Sequence, residues 1–191
     1  LHITLGERFD YKEKAQDPTN HLGTTIRIKP DGSVPADNPF ADGTQGDPKV
    51  FTYGNRNVQG IAVHPETGEI WAHEHGPKGG DEINILKAGA NYGWPIVSEG
   101  SHYSGIKIPS HKTYTEFQAP ALFWIPTIAP SGLAFYEGSE FPTWNGNALI
   151  GGLKSRALIR ITFNKDKPEE VERFSWSKRV RDIEIGKDGV I

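Results

Sequence analysis

The chain has 191 residues with no cysteine and no methionine, and its 21 Lys and Arg against 24 Asp and Glu leave a formal net charge of -3. That charge fits neither a nucleic-acid footprint nor a polybasic membrane surface, and no apolar run approaches the roughly 18 residues that a bilayer span needs. Without cysteine, disulfides, thiolate metal sites and cysteine nucleophiles are excluded together.

Position 1 is Leu, at the head of the alternating run LHITLG (1–6), so the sequence reads as a segment cut at both ends with no leader to interpret. After the polar loop Phe9–Gly23 comes a second run, TTIRIKPDG (24–32). The order then repeats. QGIAVHPETG (59–68) ends in turn residues and leads into EIWAHEHG (69–76) and DEINILKAG (81–89). A second long loop, Gly100–Phe117, precedes SGLAFYEGSE (131–140), ALIGGLKS (148–155) and RALIRITFNKD (156–166), and VRDIEIGKDG (180–189) begins the pattern again.

Short alternating runs punctuated by 22 Gly and 14 Pro, with almost no helical period, predict an all-β protein. The unit of strand, turn, strand, polar loop, strand recurs about every seventy residues and cannot bury both its faces alone, so it predicts stacked β-propeller blades. Residues 1–191 form one segment of about three blades. Long loops such as Gly100–Phe117 disfavour a β-sandwich, whose turns come about every 8–12 residues. Three blades cannot close a ring, so the remaining blades are expected from the same parent chain or, as the less simple arrangement, from a second copy.

Propellers bind ligands where the loops of successive blades converge. The loop ends read Gly6-Glu7-Arg8, Glu74-His75-Gly76-Pro77 and Lys154-Ser155-Arg156, and the blade starts add Asn55-Arg56-Asn57, Pro126-Thr127 and Lys178-Arg179-Val180-Arg181. A net acidic chain thus gathers cations at one end of its blades, which suits a polyanionic ligand. Arg179 and Arg181 alternate along the expected strand, so both face one side and can fork around carboxylates. His73 and His75 share a strand face as an H-x-H pair, but no third ligand stands at a convincing spacing, which favours a structural role. Asp81 and Glu82 are adjacent and face opposite sides, which favours hydrogen bonds that brace loops over paired acid-base chemistry. Tyr92, Trp94 and Trp124 read as core in preference to a sugar platform. Gly76-Pro77 is a rigid turn beside a strand, and its carbonyl oxygens suit Ca²⁺, with water and an anionic cofactor completing the shell.

The ordered series TLGER, GTTIRIKPDGSVPADNPF, YGNRNVQGIAVHPETGEIWAHEHGPKGGDEIN, GANYGWP, PSGLAFY, LIGGLKSRALIR and RVRDI resembles the soluble quinoprotein glucose and sorbosone dehydrogenases, most closely their aldose sugar dehydrogenase branch. The resemblance implies a six-bladed β-propeller, about half of it in this chain, binding pyrroloquinoline quinone (PQQ) and Ca²⁺ on its loop face. It implies that Gly76 and Pro77 give main-chain oxygens to Ca²⁺ and that Asn57 and Lys154 contact the quinone oxygens. Arg179 and Arg181 would pair with PQQ carboxylates, Arg8 would take a cofactor-side position, and Thr127 would lie against the rings. The implied reaction oxidises an aldose at C1. A base takes the hydroxyl proton, and hydride passes to a quinone made electrophilic by Ca²⁺ and Lys154. The family's histidine base lies before the segment matching Leu1, and Trp124-Ile125-Pro126 stands where the glucose-specific branch has Trp-Pro. An external electron acceptor and a periplasmic or secreted location are implied as well. Two rival readings share the fold: a propeller without catalysis that binds ligands or proteins, and a lactonase-like metal hydrolase built on side-chain carboxylates.

Overall fold

Side-chain alternation organises the computed structural model, which describes residues 1–164 and 167–191, into three antiparallel sheets. The first holds β1 (His2–Leu5), β2 (Thr24–Arg27) and β3 (Val50–Thr52). The second runs in chain order through β4 (Val58–Val63), β5 (Ile70–Glu74), β6 (Asp81–Ile85) and β7 (Leu122–Trp124). The third does the same with β8 (Pro130–Phe135), β9 (Ala148–Gly152), β10 (Ala157–Asn164) and β11 (Lys167–Ser175). These are consecutive blades of a β-propeller, each an up-and-down meander, as the repeat predicts. Helical structure among the described residues is limited to 3-10 turns at Lys12–Gln16 and Pro142–Trp144.

The core lies between the blades, because each sheet has two faces to cover. On β9 and β10, Ala148, Ile150, Ala157, Ile159 and Ile161 face the second blade, where they meet Trp71, Ile83 and Trp124. The alternate residues Leu149 and Leu158 face the other way and pack with Tyr136 and Ile183. Between the first and second blades, Phe51 packs with Val58, Ala72, Leu86 and Tyr92. Period-two alternation sends successive residues to opposite faces, so both faces of a central strand must be apolar.

One expected strand is corrected. Residues 180–189 do not join a sheet: a ladder needs a partner edge, and this segment's recorded main-chain contact to β8 is a single bond from Gly132 N to Arg181 O, 3.1 Å. It still packs as a blade start would, because a Cβ on Gly60 would meet Ser131 O of β8 and a Cβ on Gly132 would meet Asp182 and Ile183 N. Gly60 and Gly132 therefore do the same work in successive blades, letting the next segment approach closely. Of the expected run 156–166, the last two residues lie outside the described residues.

Candidate functional site

Four chain segments meet at one end of the second and third blades: the lead-in to β4, the turn after β5, the lead-in to β8 and the turn after β9. They enclose a cleft of about 660 Å³ lined by Asn57, Gly76, Pro77, Thr127 and Lys154, with Arg56, His75, Lys78, Asp81, Tyr103 and Ile125 among the other walls. Five of the eight residues predicted as a site are thus brought together. Arg8 lines a neighbouring cavity of about 530 Å³ that shares Arg56 and Asn57 with the cleft. Arg179 is not brought to the cleft: it lines a separate hollow of about 320 Å³ with Leu158 and Trp176. Arg181 lies beside β8, held through its carbonyl by Gly132 N. The segment that carries the two arginines joins no sheet, and it does not bring them to the cleft.

Two buried carboxylates set the walls. Glu74, at the end of β5, accepts hydrogen bonds from Asn55 Nδ2 (3.0 Å), Arg56 N (2.5 Å) and Asn57 N (3.2 Å), so it fixes the Asn55-Arg56-Asn57 turn that presents Asn57. Burial raises its carboxyl pKa, against the opposing effect of these donors. Asp81, at the start of β6, accepts from Gly76 N at 2.9 Å through one oxygen and from Thr127 Oγ1, Ile128 N and Ala129 N through the other. It therefore ties the Gly76-Pro77 turn of one blade to the Thr127 loop that leads into the next. The loop-bracing role read for Asp81 is the one seen. Its neighbour Glu82 is buried on the opposite side, and burial, followed by the charge of Glu74, pushes its carboxyl pKa well up. Lys154 is placed by its backbone, whose N–H donates to Ile128 O at 3.0 Å while Ser155 N donates to the same oxygen at 3.1 Å.

The aromatic residues Tyr92, Trp94 and Trp124 are core, between 2% and 7% exposed. Trp124 turns away to donate through Nε1 to Glu170 Oε2 at 2.7 Å, and it is Ile125, 63% exposed, that meets the cleft. His73 is fully buried with neither ring nitrogen hydrogen-bonded, and the His75 ring binds Pro130 O through Nε2 at 2.7 Å. The described residues contain no group of three or more His, Cys, Asp and Glu positioned to hold a metal ion.

Arg56, counted among the blade-start cations but given no site role from the sequence, lines the cleft. Its guanidinium donates to His75 O (3.0 Å) and Tyr103 Oη (3.3 Å) and lies 5.3 Å from the centre of the Trp94 ring. The signal was its place between Asn55 and Asn57 at a blade start. With Lys78 and Lys154 it makes the cleft cationic, while Asp81, the one carboxylate in the wall among the described residues, already accepts hydrogen bonds through both oxygens.

The family model for glucose and sorbosone dehydrogenases matches residues 1–191. The chain belongs to the glucose/sorbosone dehydrogenase family. Within that family, aldose sugar dehydrogenase YliI of Escherichia coli (strain K12) is 40% identical over 195 residues, which cover all of this chain and 52% of the relative. The solved apo-form of the soluble aldose sugar dehydrogenase from Escherichia coli superposes with a TM-score of 0.92 at 39% identity, over 98% of this chain and 55% of that one. The PQQ-bound form of an aldose sugar dehydrogenase from Streptomyces coelicolor superposes with a TM-score of 0.71 at 29% identity, over 95% of this chain and 48% of that one. This glucose/sorbosone dehydrogenase segment therefore spans about half the length of such relatives. Among its described residues no helix is long and apolar enough to cross a membrane.

Proposed function

We propose that the complete protein is a PQQ- and Ca²⁺-dependent oxidoreductase that oxidises aldose sugars at C1 to lactones, and that this chain supplies much of its cofactor floor as about half of a six-bladed propeller. The observation that carries the reading is the convergence of Asn57, Gly76, Pro77, Thr127 and Lys154, from four separate segments, on one cationic cleft. The residues fit the groups. A tricarboxylate quinone meets amide, guanidinium and ammonium donors, and among the described residues neither Gly76 O nor Pro77 O accepts a hydrogen bond, so both oxygens remain available to a hard cation. The PQQ-bound relative supports the same cofactor.

When bound, PQQ supplies the two-electron acceptor for oxidation of the sugar alcohol carbon. The chain's own residues do the rest of the work in this segment. Gly76 and Pro77 hold Ca²⁺ through main-chain oxygens, and Asp81 keeps that turn in place. Lys154 puts a positive charge where negative charge develops, Asn57 donates a hydrogen bond, and Thr127 lies against the rings. Arg8 adds positive charge from the neighbouring cavity, whereas Arg179 and Arg181, outside the cleft, carry no part of the reading. The base that takes the C1 hydroxyl proton belongs to a part of the propeller outside this chain, so the segment alone is inactive. The remaining blades come from the same parent chain, electrons leave to an external acceptor, and the location is periplasmic or secreted.

The test is to purify the complete protein without cofactor, add PQQ and Ca²⁺ together or singly, and follow aldose-dependent reduction of an electron-accepting dye. Turnover is expected only with both. Lactone hydrolysis that needs metal but not PQQ would replace this reading with the hydrolase, and binding without either reaction would replace it with the non-catalytic propeller.

A further inference from the structure

Four large apolar side chains stand open on the face that carries the cleft. Phe9 is 64% exposed, Tyr11 57%, Tyr103 61% and Ile106 67%, and the rings of Phe9 and Tyr103 lie 6.1 Å apart between centres. A single exposed apolar residue needs no explanation, but a group of them does, because folding normally covers such area.

The two loops that carry these side chains are built and not slack. In one, Arg8 and Phe9 hold left-handed φ angles of 65° and 66°, which non-glycine residues avoid, and Glu7 N donates to Arg56 O at 3.0 Å. In the other, Lys78 and Ser101 exchange backbone hydrogen bonds of 2.9 and 3.2 Å, and His102 N donates to Ile106 O at 2.8 Å. The Tyr103 hydroxyl of that hairpin accepts from Arg56. Ser101 bridges to Lys78 on one side and to Lys107 on the other, and residues directly opposite in a ladder share a face, so the two lysines flank Ser101 on one side.

Charge then narrows the occupant. Around these side chains Arg8, Lys12, Lys78 and Lys107 outnumber Asp10 and Glu13, since Glu7 is buried, although the chain as a whole is net acidic. Among the described residues Arg8, Lys78 and Lys107 form no ion pair, and the Lys12–Glu13 contact of 3.8 Å is exposed. An apolar centre with a cationic rim fits an acidic protein surface. Arg56, Pro77 and Tyr103 line both the cleft and the hollow beside Phe9, so a protein seated here is one layer of side chains from the cleft. Oxidation of an aldose leaves two electrons on the bound cofactor. Its regeneration sends one electron to each of two successive carriers and two protons to water.

We infer that the surface formed by Phe9, Tyr11, Tyr103 and Ile106 docks an acidic one-electron carrier protein, which takes up the electrons left by sugar oxidation. The inference rests on the oxidoreductase reading given above. Redox encounters are short-lived and bury less than about 1,200 Å² in total, so a small apolar centre suffices and the charged rim sets the rate.

Cytochrome c supplies the probe in two charge states, because succinylation turns its basic surface acidic and keeps the haem. With the complete protein, PQQ, Ca²⁺ and an aldose, the succinylated form is expected to be reduced about tenfold faster than the native form at low salt, an advantage lost by about 0.5 M salt. Lys107→Glu and Ile106→Ser should each remove most of that advantage and leave reduction of a small uncharged dye unchanged. Calorimetry without sugar gives a readout independent of turnover: succinylated cytochrome c should bind about fivefold more weakly to Lys107→Glu. Circular dichroism melting checks that each variant is folded. Equal reduction of the two forms, or an advantage untouched by both variants, would overturn the docking surface. So would binding of anionic phospholipid vesicles, or dimerisation of the protein, that displaces succinylated cytochrome c and is lost in Ile106→Ser. The two readings fail separately. If the dye is reduced and the succinylated form has no advantage, the docking surface is wrong. If succinylated cytochrome c binds through Lys107 and neither it nor the dye is reduced with PQQ and Ca²⁺, the acidic-protein surface stands and the oxidoreductase reading falls.

Discussion

Asp81 accepts from four donors that belong to two loops, and no neutral side chain of its shape can do that. In Asp81→Asn one of the two oxygens becomes an amide that faces donors, so Gly76 N, or else Thr127 Oγ1 with Ile128 N and Ala129 N, loses its acceptor. Each buried donor left unpaired costs about 1–3 kcal/mol, and urea unfolding of the complete protein should fall by at least that much. Unchanged stability would mean that the loops are held by other contacts. His73 gives a pH-dependent counterpart. Burial lowers its pKa to about 4 from 6.5. Between those values the unfolded chain binds the proton and the folded one does not, so stability rises with pH across the window and is lost as pH falls through about 4. The gap amounts to at most about 3 kcal/mol between pH 4 and pH 7. Half-buried His2, also lowered to about 4, chiefly by burial, acts in the same direction. His73→Leu should flatten this part of the profile, measured as unfolding free energy at pH 4.5 and pH 7; an unaltered slope would assign it to other groups. At this scale legibility was uneven. Adjacent strand positions showed Asp81 and Glu82 facing apart, whereas Glu74 carried no signal, since a glutamate at a strand end is ordinarily exposed and only the folded turn reveals three donors converging on it.

The strands were legible where alternation ran long enough to count. The runs at 59–68, 69–76, 81–89, 131–140, 148–155 and 156–166 each contain a strand, and the paired runs at 1–6 and 24–32 hold β1 and β2. The outer strands β3, β7 and β11 were not individually visible: β3 and β7 have three residues, too few to show a period, and β11 is charged and mostly exposed, with little apolar alternation to count. The run at 180–189 shows the opposite failure. Its apolar residues bury Ile183 with Val180 and Ile185 on the third blade, yet burial does not report hydrogen bonding, and the ladder is missing. Gly60 turns this element-scale packing into a prediction. It sits at a register shift in β4, where a Cβ would lie 2.3 Å from His73 Nε2 and 2.8 Å from Ser131 O. Gly60→Ala should therefore push β4 from β8 and destabilise the junction of the second and third blades by about 1–3 kcal/mol, as overpacking does. The equivalent Gly132→Ala, beside Asp182 and Ile183, should lie in the same range if the two glycines play one role. Chemical denaturation of both variants measures this, and a neutral Gly60→Ala would show that the blades part without cost.

At the scale of the whole molecule the cleft is a seam. Asn57 and the Gly76-Pro77 turn belong to the second blade, Thr127 and Lys154 to the third, and the protein's own fastenings across the seam at that end are Asp81 and the His75 bond to Pro130 O. A ligand that touches both sides is therefore linked to folding: it binds the closed arrangement and not the unfolded chain, and stabilises by about 2.7 kcal/mol at a hundredfold excess over its Kd. Ca²⁺ and PQQ should behave as one unit, because a hard cation on two neutral carbonyls lacks ligands until an anion completes its shell. The complete protein, stripped of metal and cofactor, is expected to melt higher with Ca²⁺ and PQQ together than the sum of their separate effects allows. Zn²⁺ should not replace Ca²⁺, since it prefers imidazole and thiolate and finds a wall of oxygen. Lys154→Ala should keep most of this thermal shift while losing turnover at saturating PQQ, because its charge acts on the developing anion more than on the resting complex. Differential scanning calorimetry in the four combinations of metal and cofactor, followed by turnover at saturation, decides it. Strictly additive shifts would separate the metal from the cofactor, and equal rescue by Zn²⁺ would move the metal to His73 and His75.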